Sequence, residues 1–182
     1  METHQSPARA RRVITGLDPA GDSTIINDAD ATARVERPGG ATVTEIWRVD
    51  RLPADLDDLR PLAAEGVAAP PPEGLAVRIC TFPPDSEVDP EAFQSYSSSV
   101  AQSYGQEPVP GDKPAIPGMH RTDTVDVVTV VSGELCVVTE CAETVLRPGD
   151  SVVQRGTKHL WSNRSDRIAT VVAIMIAAEC AR

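Results

Sequence analysis

Two short stretches of this 182-residue chain bring together residue types that can do chemistry. Residues 119–126 read Met-His-Arg-Thr-Asp-Thr-Val-Asp, and residues 159–163 read His-Leu-Trp-Ser-Asn, so that two of the three histidines lie within them. In an extended strand, alternate residues face the same way. His120, Thr122, Thr124 and Asp126 then share one face, with Arg121, Asp123 and Val125 on the other. His159, Trp161 and Asn163 share a face in the same manner. If the two faces meet, two imidazoles, a carboxylate, hydroxyls, an indole and an amide converge on one pocket. A histidine beside a carboxylate in a partly apolar cavity can act as acid or base near neutral pH. His120, Asp126 and His159 also make the two-histidine, one-carboxylate set of open non-haem iron sites and some catalytic zinc sites.

The surrounding sequence predicts the strands that would position these groups. Val, Ile and Thr-rich runs at Thr124 to Val131, Leu135 to Thr139, Glu143 to Leu146, Ser151 to Gln154, His159 to Ser162 and Ile168 to Ala177 are separated by turns such as Ser-Gly-Glu and Arg-Pro-Gly-Asp. That spacing predicts a small antiparallel barrel or sandwich. Upstream, Arg11 to Leu17 and Ser23 to Asn27 read as a hairpin, and Ala41 to Val49 and Leu75 to Phe82 read as further strands. Residues 1–10 are expected to be a disordered tail. Residues 11–82 supply N-terminal strands and a proline-rich connection, and 83–117 form a loop or short-helix insertion over Glu91 to Gln102 that can serve as a lid. Residues 118–178 form the barrel core.

These motif residues resemble the cupin superfamily, in particular small single-domain cupins of the cupin 2 type. The first family motif is matched by His120, Thr122, Asp126 and Gly133, the second by Gly149, Gly156, His159 and Asn163, and the resemblance covers residues 118–177. It implies an all-β fold, the cupin double-stranded β-helix, a small antiparallel jelly-roll barrel with N-terminal strands added to the sheet. In metal-binding cupins three histidines and a glutamate hold the ion. Here Thr122 stands at the second histidine and Asp126 at the glutamate, which leaves His120, Asp126 and His159 as the ligand set for a divalent Fe, Mn, Zn or Ni, or else a metal-free pocket. The resemblance implies a small-molecule enzyme, lyase-like, that dehydrates, decarboxylates or isomerises a small oxygenated organic acid or natural-product intermediate. His120, Asp126 and His159 would be catalytic and Thr122, Trp161 and Asn163 would line the substrate pocket. A noncatalytic small-molecule-binding barrel and a metal-dependent oxygenase are the alternatives. A homodimer is expected, because N-terminal strands of small cupins commonly pair with a second subunit.

Composition narrows the field. A formal charge of −10 without a basic stripe argues against nucleic acid, whose binding depends on Lys and Arg displacing counterions. The run from Ile168 to Ala178 is too short to span a bilayer, and no apolar segment follows Arg9, Arg11 and Arg12 as a secretory leader requires. A cytoplasmic protein with no membrane partner is expected. Cys80, Cys136, Cys141 and Cys180 lack Cys-x-x-Cys spacing and read as buried thiols, with a Cys136 to Cys141 disulfide across a hairpin turn left open.

Overall fold

The computed structural model describes residues 10–59, 62, 69–95 and 116–179. Eleven strands are found among them: β1 (Arg11–Leu17), β2 (Ser23–Asp30), β3 (Arg34–Glu36), β4 (Thr42–Val49), β5 (Leu75–Phe82), β6 (Thr124–Ser132), β7 (Leu135–Thr139), β8 (Glu143–Leu146), β9 (Ser151–Arg155), β10 (His159–Ser162) and β11 (Ala169–Ala177). β3 is the strand that the alternation pattern does not announce, since three residues are too few for a period of two to show. All the pairings between these strands are antiparallel. They build a six-stranded sheet in the order β3-β4-β5-β11-β6-β9, a three-stranded sheet β10-β7-β8, and the separate hairpin β1-β2. The all-β fold of antiparallel sheets expected from the sequence is therefore what the chain forms.

The inner faces of the two sheets meet over a compact apolar core. Val128 and Val130 of β6 and Ala169, Val171 and Ala173 of β11 pack against Leu135 and Val137 of β7 and Leu146 of β8. Leu135 has no exposed surface at all. Further along the large sheet the interior turns polar: Glu45, Arg78, Thr124, Asp126 and Gln154 are all buried. Buried charge is tolerated where it is paired. Arg78 donates from Nη2 to Glu45 Oε2 at 3.3 Å, and Arg48 lies 3.5 Å from the other carboxylate oxygen.

The hairpin β1-β2 makes strand pairs only within itself and leaves Val13, Leu17 and Ile25 exposed. After β5, a short 3-10 turn (Asp85–Glu87) and a helical stretch at 90–95 follow. Asp89 caps the latter by accepting from the amides of Glu91 and Ala92. The remainder of the helix expected up to Gln102, the tail 1–9, and Cys180 lie outside the described residues. Cys80, Cys136 and Cys141 are free thiols, and Cys141 is exposed rather than buried because it sits at the tip of the β7-β8 turn. Among the described residues no helix is long and apolar enough to cross a membrane.

Because Leu135 is fully enclosed between the sheets, Leu135→Ala removes apolar contacts that no nearby loop can replace. Urea unfolding is expected to show a loss of about 2–5 kcal/mol.

Candidate functional site

The site begins with a backbone contact. His120 and His159 form a bridge in which the amide of each donates to the carbonyl of the other, both at 2.9 Å. β10 pairs with β7 along one edge, so this bridge adds His120 to its other edge. Residues directly opposite in an antiparallel pair project their side chains to the same side. The two imidazoles accordingly stand together, with ring centroids 4.5 Å apart and planes inclined at 49°. The indole of Trp161 meets His159 edge-on at 5.4 Å and approaches Phe82 at 6.4 Å.

Each ring is oriented by the chain just before it. His120 Nδ1 lies 2.9 Å from the carbonyl of Gly118, and His159 Nδ1 lies 3.0 Å from that of Thr157. A carbonyl oxygen can only accept, so both Nδ1 atoms carry a proton and both lone pairs belong to Nε2. Burial lowers the pKa of His120, opposed by its bond to Gly118. Burial first, and the neighbouring His120 second, push His159 down to about 4. The pair is neutral at pH 7.

A cavity of about 80 Å³ lies against His120, walled by Phe82, Phe93, Leu160 and Trp161 together with Pro38 and Pro83. His120 and Asn163 face it, and Asp85 is its one ionisable carboxylate. Gly118 lets the walls close: its φ is +84°, and a Cβ there would come within 2.7 Å of the Phe93 ring and 2.8 Å of Leu160. Asp85 is already engaged, accepting from Ser162 Oγ at 2.6 Å and from the amide of Asn163 at 3.0 Å. Asn163 is likewise saturated, since its Nδ2 donates to the carbonyls of Phe82 and Arg167 and its Oδ1 accepts from Ser165. Asn163 is thus part of the cavity lining and also a fastener between β5, β10 and the following turn.

Thr122 and Asp126 turn away from this cavity. Thr124 Oγ1 donates to Thr122 Oγ1 at 2.6 Å, and Thr122 Oγ1 donates in turn to Asp126 Oδ2 at 3.5 Å. Thr122 and Thr124 line a larger cleft of about 560 Å³ beside Pro70, Glu73, Arg121 and Ala177. Arg121 pairs with Asp123 at 3.8 Å, in the outward position that parity assigns to both. Burial raises the pKa of Asp126, and the groups that oppose the rise are Thr124, Thr122 and Arg78. Neither histidine acts on it.

Cupin folds commonly hold a divalent metal, and the donor set here can be tested for one. His120 and His159 offer two Nε2 lone pairs. A third protein ligand is needed, yet the Thr122 hydroxyl is a poor donor already bonded within the threonine pair, and the Asp126 carboxylate lies among Thr122, Thr124 and Arg78. Among the described residues no group of three or more His, Cys, Asp or Glu is arranged to hold a metal ion. The expected ligand set His120, Asp126 and His159 is therefore not found gathered as a metal-holding cluster among the described residues.

Other residues of the site are invisible to motif reading. Phe93, outside the matched segment, and Gly118, at its first position but in neither motif, form part of the cavity wall. Gln154, whose signal is a lone amide in the apolar run Ser-Val-Val-Gln, secures the turn before His159.

Two measurements follow. His159 has a folded pKa of about 4 against an ordinary 6.5, so the unfolded chain takes up a proton that the folded chain refuses. Stability is then complete above about pH 6.5 and falls as the pH drops toward 4, by on the order of 2–3 kcal/mol. His159→Gln should flatten that part of the profile, and the raised pKa of Asp126, which costs stability in the opposite direction as the pH rises, should remain. Elemental analysis of protein prepared without chelator and then offered Fe(II), Zn(II) or Ni(II) should show well below one equivalent retained after desalting.

No protein-family model matches the chain. It is 50% identical over 48 residues to phomopsin biosynthesis cluster protein C' of Diaporthe leptostromiformis, a match that takes in 26% of this chain and only 25% of that protein. It is 26% identical over 160 residues to a cupin-domain-containing oxidoreductase of Neurospora crassa, covering 85% of this chain and 66% of the relative. Among solved structures, a cupin 2 conserved barrel domain protein from Salinispora arenicola aligns over 77% of this chain and 78% of its own with 15% identity and a TM-score of 0.41. The long match is thus to a protein named for a cupin domain, and the histidine motifs and two antiparallel sheets of this chain are similar to what that name implies.

Proposed function

We propose that the chain is a small-molecule enzyme of lyase or isomerase type that moves a proton on an uncharged carbonyl compound, with His120 as the base. The observation that carries this reading is the neutral imidazole pair, each ring tied through Nδ1–H to a backbone carbonyl, with His120 facing an apolar cavity. A lowered pKa keeps the base unprotonated at neutral pH, at some cost in basicity. Rings 4.5 Å apart carry at most one added proton, since two adjacent imidazolium charges would repel.

The chemistry balances on that one proton. His120 Nε2 takes it from the carbon next to the carbonyl, and the C–H electron pair forms the enolate. The resulting imidazolium returns the proton either to another carbon, which isomerises the substrate, or to a departing hydroxyl, which leaves as water as the C–O bond breaks. The indole, the phenyl rings and the prolines exclude solvent from the exchange.

Two features sharpen the substrate class. The described lining holds no Lys or Arg, and Asp85 is its one ionisable carboxylate, so an uncharged carbonyl or hydroxyl compound suits it better than the organic acid suggested by the motif alone. The cavity of about 80 Å³ is roughly half the size of the engineered cavity of about 150 Å³ that takes up benzene, so it accepts the reacting end of a substrate and leaves the rest outside. Relatives in fungal biosynthesis clusters favour a natural-product intermediate as that substrate. The oxygenase alternative has the open donor set against it.

The test is proton exchange in D2O, followed by proton NMR across a panel of small ketones, aldehydes and β-hydroxy ketones. Wild-type protein should introduce deuterium next to the carbonyl of at least one class, and His120→Gln should lose about 100-fold or more of that rate, in line with a general base. Binding of a panel member without any exchange would instead support a noncatalytic barrel.

A further inference from the structure

The carbonyl that orients His159 is not held by a strand ladder. It belongs to Thr157, in the link between β9 and β10 that passes through Gly156 at a φ of +58°. What holds it is Gln154, the buried amide on β9 that stands directly across from Asp126 on β6. Gln154 Nε2 donates to the Thr157 carbonyl at 2.7 Å and also contacts the Thr157 hydroxyl. That carbonyl therefore receives two donors, the amide of Gln154 and the Nδ1–H of His159. For His120, the carbonyl partner at Gly118 lies in the backbone turn from Ile116 to Met119.

We infer that Gln154 is a positioning residue that fixes the proton of His159 on Nδ1, and with it the neutral ring against which His120 works. Without the amide, a turn containing a left-handed glycine can rotate the 157–158 peptide, and the Thr157 carbonyl moves away from the ring. His159 then loses the reason to keep its proton on Nδ1. The functional consequence rests on the proton-transfer reading of the pair, whereas the tautomer is observable without any substrate.

Long-range nitrogen–proton NMR of protein labelled with ¹⁵N-histidine reads both tautomers directly. In wild-type protein His120 and His159 should each show a single Nδ1–H form. Gln154→Met keeps the side-chain volume and removes the donor, and should convert His159 to a mixture with a substantial Nε2–H population while His120 stays unchanged. Gln154→Asn, one methylene too short to reach the carbonyl, should do the same. Thr157→Ala retains the backbone carbonyl and should leave His159 as in wild type. An unchanged His159 tautomer in both Gln154 variants would overturn the assignment, and so would a change in both histidines at once, which would mark Gln154 as a general packing residue. If the tautomer responds as stated but no carbonyl compound exchanges deuterium, the positioning role stands and the proton-transfer reading fails.

Discussion

The reciprocal pair of backbone hydrogen bonds between His120 and His159 is the constraint on which the site depends. β10 belongs to the small sheet, yet His120, bonded to its free edge, lies only four residues before β6 of the large sheet. One two-bond bridge therefore ties the seam where the chain crosses between sheets. Because opposed residues of such a pair present their side chains on the same side, the bridge also decides that two imidazoles must touch. Each ring then finds the same local solution, a bond from Nδ1 back to the carbonyl two residues earlier, although one segment is a loop and the other a turn between strands. Orientation, tautomer and proximity thus follow from main-chain geometry.

The polar interior explains where the carboxylate went. Arg78 enters the barrel from an otherwise apolar strand and would be costly there unpaired. Glu45 answers it directly, and Arg78 also lowers the otherwise raised pKa of Asp126. One oxygen of that carboxylate accepts from Thr122 within the field of the Arg78 guanidinium, while the other, Asp126 Oδ1, is buried with no hydrogen-bond partner among the described residues. Desolvation is the largest influence on both histidines, and both are driven toward their neutral forms.

Much of this architecture is legible in the sequence because β-structure advertises itself by alternation and turn chemistry. β5, β7, β8 and β10 fall where the patterns of branched residues and turns put them, while β3 is too short to show a period. The histidine pair was legible too, since both residues sit in motifs. Parity belongs to a single strand, and His120 lies four residues before β6 with a bend at Asp123 between; His120 lines the apolar cavity, whereas Thr122 and Thr124 line the larger cleft. Sequence could not reveal Gln154 or Gly118 as parts of the site, because each acts through a carbonyl or a close approach that exists only after the turn has formed.

The two substitutions in the first motif now acquire a common physical meaning. A histidine at 122 and a longer acid at 126 would be the residues needed to gather ligands around a cation. Threonine at 122 instead passes a hydroxyl from Thr124 toward Asp126, and the shorter aspartate stays within the field of Arg78. What survives of the motif is its pair of imidazoles, fixed by the backbone. Such a pair is a poor trap for a metal and a good reservoir for one proton. The apolar wall of Phe82, Phe93, Leu160 and Trp161 serves that use, because a proton held between neutral groups is protected by the exclusion of water. On the proposed proton-transfer reading, Thr122 and Asp126 bond to each other beside Arg78 while the backbone bridge still holds the two histidines together.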